Sequence, residues 1–161
     1  SSHLGLNLTK IIKYAKKFPT PSGRGNIVVK KFNNKKITII DESYNANPVS
    51  MKNAIENFSN SKTQKSKKIA IIGDMLELGS HSKFYHEQLA SIIKKSNIDY
   101  VYFVGREVLN TYRKLRNTDK YRIYEDVEQF REVFLEIINE KSIFLIKGSN
   151  GVGLHKLLNK I

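Results

Sequence analysis

The distribution of apolar positions along the chain predicts an alternation of buried strands and amphipathic helices. Three runs are continuously apolar, at residues 69–72, 101–104 and 143–146. Strands of a parallel sheet require such runs because helices cover both of their faces. Strands that alternate with helices in this way form βαβ units, so we predict an α/β domain with a mainly parallel sheet.

The predicted elements begin with a helix over residues 8–17, where apolar residues recur at helical spacing. Two short strands, 26–31 and 36–40, flank Asn33-Asn34 and predict a β-hairpin. The rest of the chain predicts helices 48–60, 82–96, 106–116, 126–140 and 151–160 and strands 68–73, 100–105, 121–124 and 143–147. Asp126 and Gln129 have the spacing of a helix capping box.

A linker is predicted between the first helix and the hairpin. Residues 18–25 read Phe-Pro-Thr-Pro-Ser-Gly-Arg-Gly, a composition that stops helices and is typical of chain between domains. We therefore expect the residues before this segment to belong to a neighbouring domain.

The loop after the apolar run 37–40 has the most informative sequence in the chain. It predicts a strand that ends on the carboxylate of Asp41 and a helix that begins with Asn47 as N-cap and Pro48 in its first turn. In open α/β sheets, ligands bind outside the carboxyl ends of the strands. Four predicted strands end on residues suited to such a site, namely Asp41, Gly73-Asp74, Gly105-Arg106 and Lys147-Gly148-Ser149.

Composition narrows the class of protein. A chain of 161 residues is long enough for one domain, and it contains no cysteine, which excludes disulfides and thiolate metal sites. The four histidines lack the spacing of metal ligands, so no metal site is expected. No apolar run approaches the roughly 20 residues of a membrane span, and we expect a cytoplasmic domain without membrane partners.

The formal charge of +13 raises the possibility of nucleic-acid binding, since lysine and arginine neutralise phosphates. The charge is mostly lysine, however, and it is scattered through every segment. Its densest cluster, residues 62–68, is predicted to be a solvated loop. A basic α/β module that binds RNA or another anionic ligand is therefore kept as an alternative function.

Several familiar catalytic motifs are missing from the sequence. The run 148–153 is rich in glycine, but its G-x-x-G-x-G spacing differs from the dinucleotide-binding G-x-G-x-x-G. The chain has no G-x-x-x-x-G-K-[ST] phosphate loop and no recognisable Ser/His/Asp arrangement. It thus carries parts of a site without a complete catalytic apparatus.

The blocks that remain resemble the MurF family of Mur ligases. Residues 41–51 are similar to that family's D-[DE]-S-Y-N-A-N-P-x-S-M signature, and residues 69–79 with His86 are similar to its V-L-G-D-M-x-E-L-G segment and downstream histidine. Lys147-Gly148-Ser149 resembles the family's K-G-S, and Gly23-Arg24 resembles the G-R that enters its last domain. The four blocks occur in order across nearly the whole chain.

The resemblance implies an ATP-dependent amide ligase of peptidoglycan precursor synthesis. Such enzymes join D-alanyl-D-alanine to UDP-N-acetylmuramoyl-tripeptide through an acyl phosphate. It further implies that residues 1–18 are the last helix of the central ATPase domain, 19–25 a hinge, and 26–161 the Rossmann-like three-layer C-terminal domain, with about six strands and an N-terminal hairpin. ATP and Mg²⁺ would be bound mainly by the central domain, so the chain alone is expected to be inactive.

The resemblance also implies roles for individual residues. A nucleotide side would comprise Arg24, Asp41, Tyr44 and Asn45, with Asp41 facing the ribose. A D-alanyl-D-alanine side would comprise Asn47, Asp74, Glu77, Lys147, Gly148 and Ser149. No catalytic residue and no metal ligand is assigned, and His86 is expected to anchor a loop. Asp74 and Glu77 are open to two interpretations, as ligands of an ammonium group or as parts of a structural loop.

Other Mur-type ligases and folylpolyglutamate synthetase share this domain plan and remain alternatives. The expected partners are the dipeptide, the UDP-linked tripeptide and the remaining domains of the same protein, in a monomer.

Overall fold

A computed structural model describes residues 8–15, 21–62, 66–115, 118–138 and 141–161. The strands are β1 (Asn26–Phe32), β2 (Lys35–Glu42), β3 (Lys67–Gly73), β4 (Tyr100–Val104), β5 (Tyr121–Tyr124) and β6 (Ser142–Lys147). The helices are α1 (Leu8–Ala15), α2 (Pro48–Asn60), α3 (Ser82–Lys94), α4 (Leu109–Arg113) and α5 (Val127–Ile137). Short 3₁₀ segments cover Gly79–His81, Asn150–Val152 and Leu154–Lys160.

The strands form one sheet in the order β1-β2-β6-β3-β4-β5. Among the strands of the described residues, only the edge strand β1 is antiparallel to its neighbour, and β2, β6, β3, β4 and β5 run parallel. Asn33 and Asn34 turn the hairpin with positive φ angles of 47° and 63°, a geometry that asparagine tolerates well. The predicted fold class and hairpin are confirmed.

Helices cover both faces of the sheet, which explains the continuously apolar strands. On one face, α2 and α3 bury Met51, Phe58 and Leu89 against β3, β4 and β6. On the other face, Phe130 and Phe134 of α5 pack with Leu154 of the C-terminal 3₁₀ segment. The central strands β3 and β6 lie between two apolar layers, so the C-terminal ends of these strands have a fixed position.

The helix α2 begins where the sequence predicts it. Asn47 caps it by accepting a 2.8 Å hydrogen bond from the Ser50 N–H, and the Ser50 hydroxyl accepts one from the Asn47 N–H at 3.0 Å. At α5, Asp126 is likewise the cap, accepting from the Gln129 N–H. The Gln129 side chain accepts from the N–H of Glu125, one residue before the position that a standard capping box uses.

Two predicted helices are wrong in length or type. Among the described residues, the helix predicted over 106–116 is reduced to the five residues of α4, and the backbone N–H groups of residues 106 and 108 that precede it bond to the Asp74 carboxylate. The helix predicted over 151–160 is replaced by two 3₁₀ segments separated by Gly153 at φ 82°. That left-handed conformation interrupts the helical hydrogen-bond ladder.

The predicted loop over residues 62–68 is also partly wrong. Lys67 and Lys68 already belong to β3, and Lys68 is buried, with its N–H donating to Asp99 Oδ2 at 2.7 Å. Residues 63–65 lie outside the described part of the chain, as do 1–7 and 16–20 of the predicted preceding domain and linker. The same is true of 116 in the predicted helix 106–116 and of 139–140 in the predicted helix 126–140. None of the described helices is long and apolar enough to cross a membrane.

Candidate functional site

The carboxyl ends of β2, β6, β3 and β4 meet at one edge of the sheet, here called the carboxyl edge. Because these strands are parallel neighbours, their last residues and the loops that follow lie side by side. The structure therefore brings together the candidate residues that the sequence places after four different strands. Their contacts separate those that face inward from those that face solvent.

Asp41 lies inside β2 and is 2% exposed. Its Oδ1 accepts hydrogen bonds from the Ser43 N–H at 3.1 Å and the Ser43 hydroxyl at 2.6 Å, which closes a local turn. Both bonds fall on the same oxygen, so a contact to a ligand hydroxyl would have to use Oδ2.

Arg24 and Tyr44 contact each other at the start of the domain. The Arg24 guanidinium carbon lies 4.6 Å from the centroid of the Tyr44 ring, a cation–π geometry, and the Tyr44 N–H donates to the Gly23 carbonyl at 3.1 Å. Gly23 has a φ of 75°, and a Cβ there would lie 2.8 Å from Tyr44 Cβ. Glycine is thus required at this position, and both Arg24 and Tyr44 remain exposed to solvent.

Lys147, the last residue of β6, is buried with a 3% exposed side chain. Its Nζ donates to the Asn45 carbonyl at 2.7 Å and lies 3.3 Å from Glu42 Oε2. Burial lowers the pKa of Lys147 from its ordinary value, and the nearby Glu42 carboxylate opposes that shift. The ammonium group is therefore already held by the domain itself.

Ser149 and Gly148 connect β6 to the loop after β3. The Ser149 hydroxyl accepts from the Leu76 N–H at 2.9 Å, and the Ser149 N–H donates to the Asp74 carbonyl at 2.9 Å. A Cβ at Gly148 would lie 2.9 Å from Leu154 Cδ1 and 3.1 Å from Gly73 Cα. The K-G-S block thus has a demanding structural role at each of its positions.

Asp74 organises the turn between β4 and α4. Its carboxylate accepts from the Arg106 N–H at 3.1 Å and the Val108 N–H at 2.8 Å. Gly105 makes room for it, since a Cβ at its φ of 136° would lie 2.4 Å from Asp74 Oδ1. The Arg106 side chain points elsewhere and pairs with Glu125 at 2.8 Å. The contacts of Asp74 are those of a structural residue.

The loop from Gly73 to Gly79 therefore divides into anchored and exposed parts. His86 is fully buried, its Nε2 accepting from the Met75 N–H at 3.0 Å, which is the expected loop-anchoring role. Glu77 is exposed and has a φ of 64°, an uncommon conformation for a residue with a Cβ. Backbone strain of this kind is often found at functional positions.

Two hollows lie along the carboxyl edge and meet at Asn45. The first, of about 240 Å³, is lined by Arg24, Glu42 and Lys147 together with Ser50 and the two glycines beside Arg24. The second, of about 450 Å³, is here called the loop cleft, because it lies between residues 44–47, 76–78 and 149–151. Glu77 is the one charged side chain among the described residues that line the loop cleft.

Sequence reasoning missed two contributors to this edge. Glu42 pairs with Lys147, and Ser43 satisfies Asp41, although neither had been assigned a role. The spacing Asp-x-Ser is a recognisable signal for a side chain that closes its own turn. The pairing of Glu42 with Lys147 has no local signal, because it depends on β2 and β6 being neighbours.

Comparisons with known proteins agree with this architecture. The family model described as "Mur ligase, glutamate ligase domain" matches residues 23–150. The chain therefore belongs to the Mur ligase family.

Individual relatives show which Mur ligases the chain resembles. The chain is 33% identical over 156 residues to the UDP-N-acetylmuramoyl-tripeptide--D-alanyl-D-alanine ligase of Rickettsia prowazekii, an alignment that covers 97% of this chain and 33% of that protein. It is 29% identical over 128 residues to the ligase of the same name in Bacillus subtilis, covering 78% of this chain and 28% of that one. The resemblance to MurF ligases is confirmed, and the chain spans about a third of their length.

Solved structures give the same result. A crystal structure of MurF from Acinetobacter baumannii superposes with a TM-score of 0.80 at 25% identity, covering 98% of this chain and 33% of that one. A folylpolyglutamate synthase/dihydrofolate synthase from Yersinia pestis superposes with a TM-score of 0.61 at 13% identity, covering 94% of this chain and 34% of that one. That likeness concerns the fold alone.

Proposed function

We propose that this chain is the C-terminal domain of an ATP-dependent ligase that adds D-alanyl-D-alanine to UDP-N-acetylmuramoyl-tripeptide. The supporting observation is the carboxyl edge, where all four motif blocks converge on two adjoining hollows. The curated relatives with this motif set carry that activity in their names. The reaction would take place in the cytoplasm, during synthesis of the peptidoglycan precursor.

The chemistry requires two substrate groups to approach each other without water. ATP phosphorylates the tripeptide carboxylate, the dipeptide amine attacks the resulting acyl phosphate, and an amide bond forms as phosphate leaves. An acyl phosphate hydrolyses easily, so a domain that covers it must exclude water. The carboxyl edge would be one wall of such a closed site, and domains outside this chain would supply the opposite wall, with most contacts to ATP and Mg²⁺.

The nucleotide would lie on the side of Arg24 and Tyr44. Their exposed cation–π pair offers a positive charge for phosphate oxygens and an aromatic face for a base. Asn45 lies in the loop after β2 and Asp41 near the end of β2 itself. Residues 19–25 would be the hinge on which the domain closes. A relative from Thermotoga maritima, 26% identical, has been solved in complex with ADP, which supports a nucleotide in such enzymes.

The dipeptide would lie in the loop cleft, on the side of Asn47 and Glu77. The exposed Glu77 carboxylate suits the ammonium group of an incoming amine, and the amide side chains suit the peptide carbonyl. Asp74, Gly148 and Ser149 would shape this cleft from behind, because their contacts are with backbone groups of the domain. Residues 1–18 would belong to the preceding domain.

A comparison of amine acceptors tests this proposal. The full-length protein, given ATP and the UDP-linked tripeptide, should release phosphate with D-alanyl-D-alanine and release little with single amino acids. The 161-residue chain alone should release none above a blank without enzyme. Preference for a single amino acid, or turnover by the chain alone, would contradict the proposal.

A further inference from the structure

Lys147 stands apart from the other candidate residues because its charge is buried and already paired. A buried ammonium is costly unless hydrogen bonds and an opposite charge satisfy it. Both conditions are met at Lys147. Its Nζ donates a hydrogen bond to the Asn45 carbonyl at 2.7 Å and lies 3.3 Å from the Glu42 carboxylate. A substrate carboxylate would have to compete with these partners for Nζ, which has three N–H donors in all.

Ser149, two residues further on, makes the corresponding contact with the opposite loop. Its hydroxyl accepts from the Leu76 N–H at 2.9 Å and lies 3.5 Å from the Ala46 carbonyl. Lys147 thus holds the loop after β2, and Ser149 holds the loop after β3. Gly148 between them has no free space around it. The end of β6 therefore sets the separation of the two walls of the loop cleft.

Asn45 links the end of β6 to the nucleotide side of the site. It lines both the loop cleft and the hollow that contains Arg24. Its carbonyl is held by Lys147, so a displacement of that carbonyl would alter both hollows together.

We propose that Lys147 is a positioning residue that fixes Asn45 and thereby couples the nucleotide side of the site to the dipeptide side, without touching either substrate. The kinetic part of this inference depends on the proposed ligase function, whereas its structural part does not. A direct ligand of the dipeptide would affect the KM of the dipeptide alone. A positioning residue shared by both hollows would affect both KM values.

The test uses Lys147→Met, which keeps the length and apolar body of the side chain but removes its charge, with Lys147→Arg as the conservative variant. In the full-length protein, Lys147→Met should raise the KM of ATP and that of D-alanyl-D-alanine by about tenfold each, the size expected for loss of a charge-assisted hydrogen bond. Lys147→Arg should recover part of both. Lys52→Met, at an exposed lysine of α2, is the matched control and should change neither.

Hydrogen exchange provides a readout that does not require ligase activity. In the 161-residue chain, Lys147→Met should accelerate exchange of backbone amides at residues 45–47 by about tenfold or more, while amides of β4 keep their rates. A rise in the KM of the dipeptide alone, or unchanged exchange at 45–47, would overturn the proposal. Accelerated exchange in a protein without ligase activity would support the positioning role and would reject the proposed function instead.

Discussion

The two edges of the sheet use charged residues in opposite ways. At the carboxyl edge, Asp41, Asp74 and Lys147 are buried and bonded to specific backbone or side-chain groups. At the opposite edge, where the parallel strands begin, charged side chains such as Lys35 and Lys67 are exposed, and Lys68 is the buried exception. Lys67 lies 5.3 Å from the Tyr100 ring centroid, a surface contact rather than a buried pairing.

This difference shows which properties of the sequence report on function. The net charge of +13 is in large part a property of exposed lysines, and it would mislead if read alone. The carboxyl edge contains few charges, and the buried ones each have a defined partner, whereas Glu77 is exposed in the loop cleft. Pairing and burial, rather than the amount of charge, distinguish the candidate site from the rest of the surface.

The largest expected effect comes from the most tightly packed glycine of the carboxyl edge. Gly105→Ala would place a Cβ 2.4 Å from Asp74 Oδ1 at a φ of 136°. We expect it to lower the free energy of unfolding by about 2–4 kcal/mol, through strain and displacement of Asp74. Urea denaturation measures the change.

Gly79→Ala is the control for that substitution. Gly79 also has a positive φ, of 55°, but a Cβ there meets nothing within 4 Å. Its cost should be only the backbone strain of about 1 kcal/mol. Equal losses for the two variants would show that Asp74 does not depend on the space at Gly105.

A second prediction compares one aspartate from each edge. Asp74 accepts two backbone N–H bonds, and Asp99, at the opposite edge, accepts one from the Lys68 N–H. Asparagine keeps a single acceptor oxygen, so Asp74→Asn should cost about 1–3 kcal/mol and Asp99→Asn less than about 1 kcal/mol. Thermal or urea unfolding measures both losses of stability. A larger loss for Asp99→Asn than for Asp74→Asn would contradict the prediction.

A third prediction concerns the lysines of the opposite edge and the alternative function of RNA binding. The chain should bind RNA weakly and lose that binding by about 0.2 M salt, as expected for nonspecific phosphate contacts. Charge reversal at Lys67 should weaken the low-salt binding more than charge reversal at Arg24. Sub-micromolar binding that persists at physiological salt would favour the basic binding module.

The smallest expected effect is on alkaline stability. Burial raises the pKa of the Tyr102 phenol above its ordinary 10.0, and the neighbouring Tyr124 contributes to the rise. Tyr102 therefore contributes stability that is complete below pH 10.0 and is lost as the pH rises from there through the raised pKa. Tyr102→Phe should lose less stability between neutral pH and pH 11 than the parent chain, as urea midpoints at each pH would show.

The sequence predicted most of the fold because its signals were local. The cap at Asn47, the hairpin at Asn33 and the apolar strands each depend on a few neighbouring residues. The short α4 has no local signal, since the turn before it bonds to Asp74, more than thirty positions upstream. The C-terminal 3₁₀ segments differ from the predicted helix 151–160 because Gly153 adopts a left-handed conformation.

Within the candidate site, motif matching located the residues but could not separate their roles. Lys147 and Glu77 both carry a charge in a motif, yet one is buried against Glu42 and the other is exposed in the loop cleft. That distinction depends on which strands are neighbours, and the order of strands in the sheet has no short-range signature.

The most direct test is the effect of Glu77→Gln on the KM values of ATP and D-alanyl-D-alanine in the proposed full-length ligase. The substitution keeps the shape of the side chain and the backbone strain, and it removes only the charge facing the loop cleft. We expect the KM of D-alanyl-D-alanine to rise by about tenfold, while the KM of ATP and the thermal midpoint stay the same. An unchanged KM of D-alanyl-D-alanine in an active enzyme would contradict the assignment of the carboxyl edge as the acceptor side of the site.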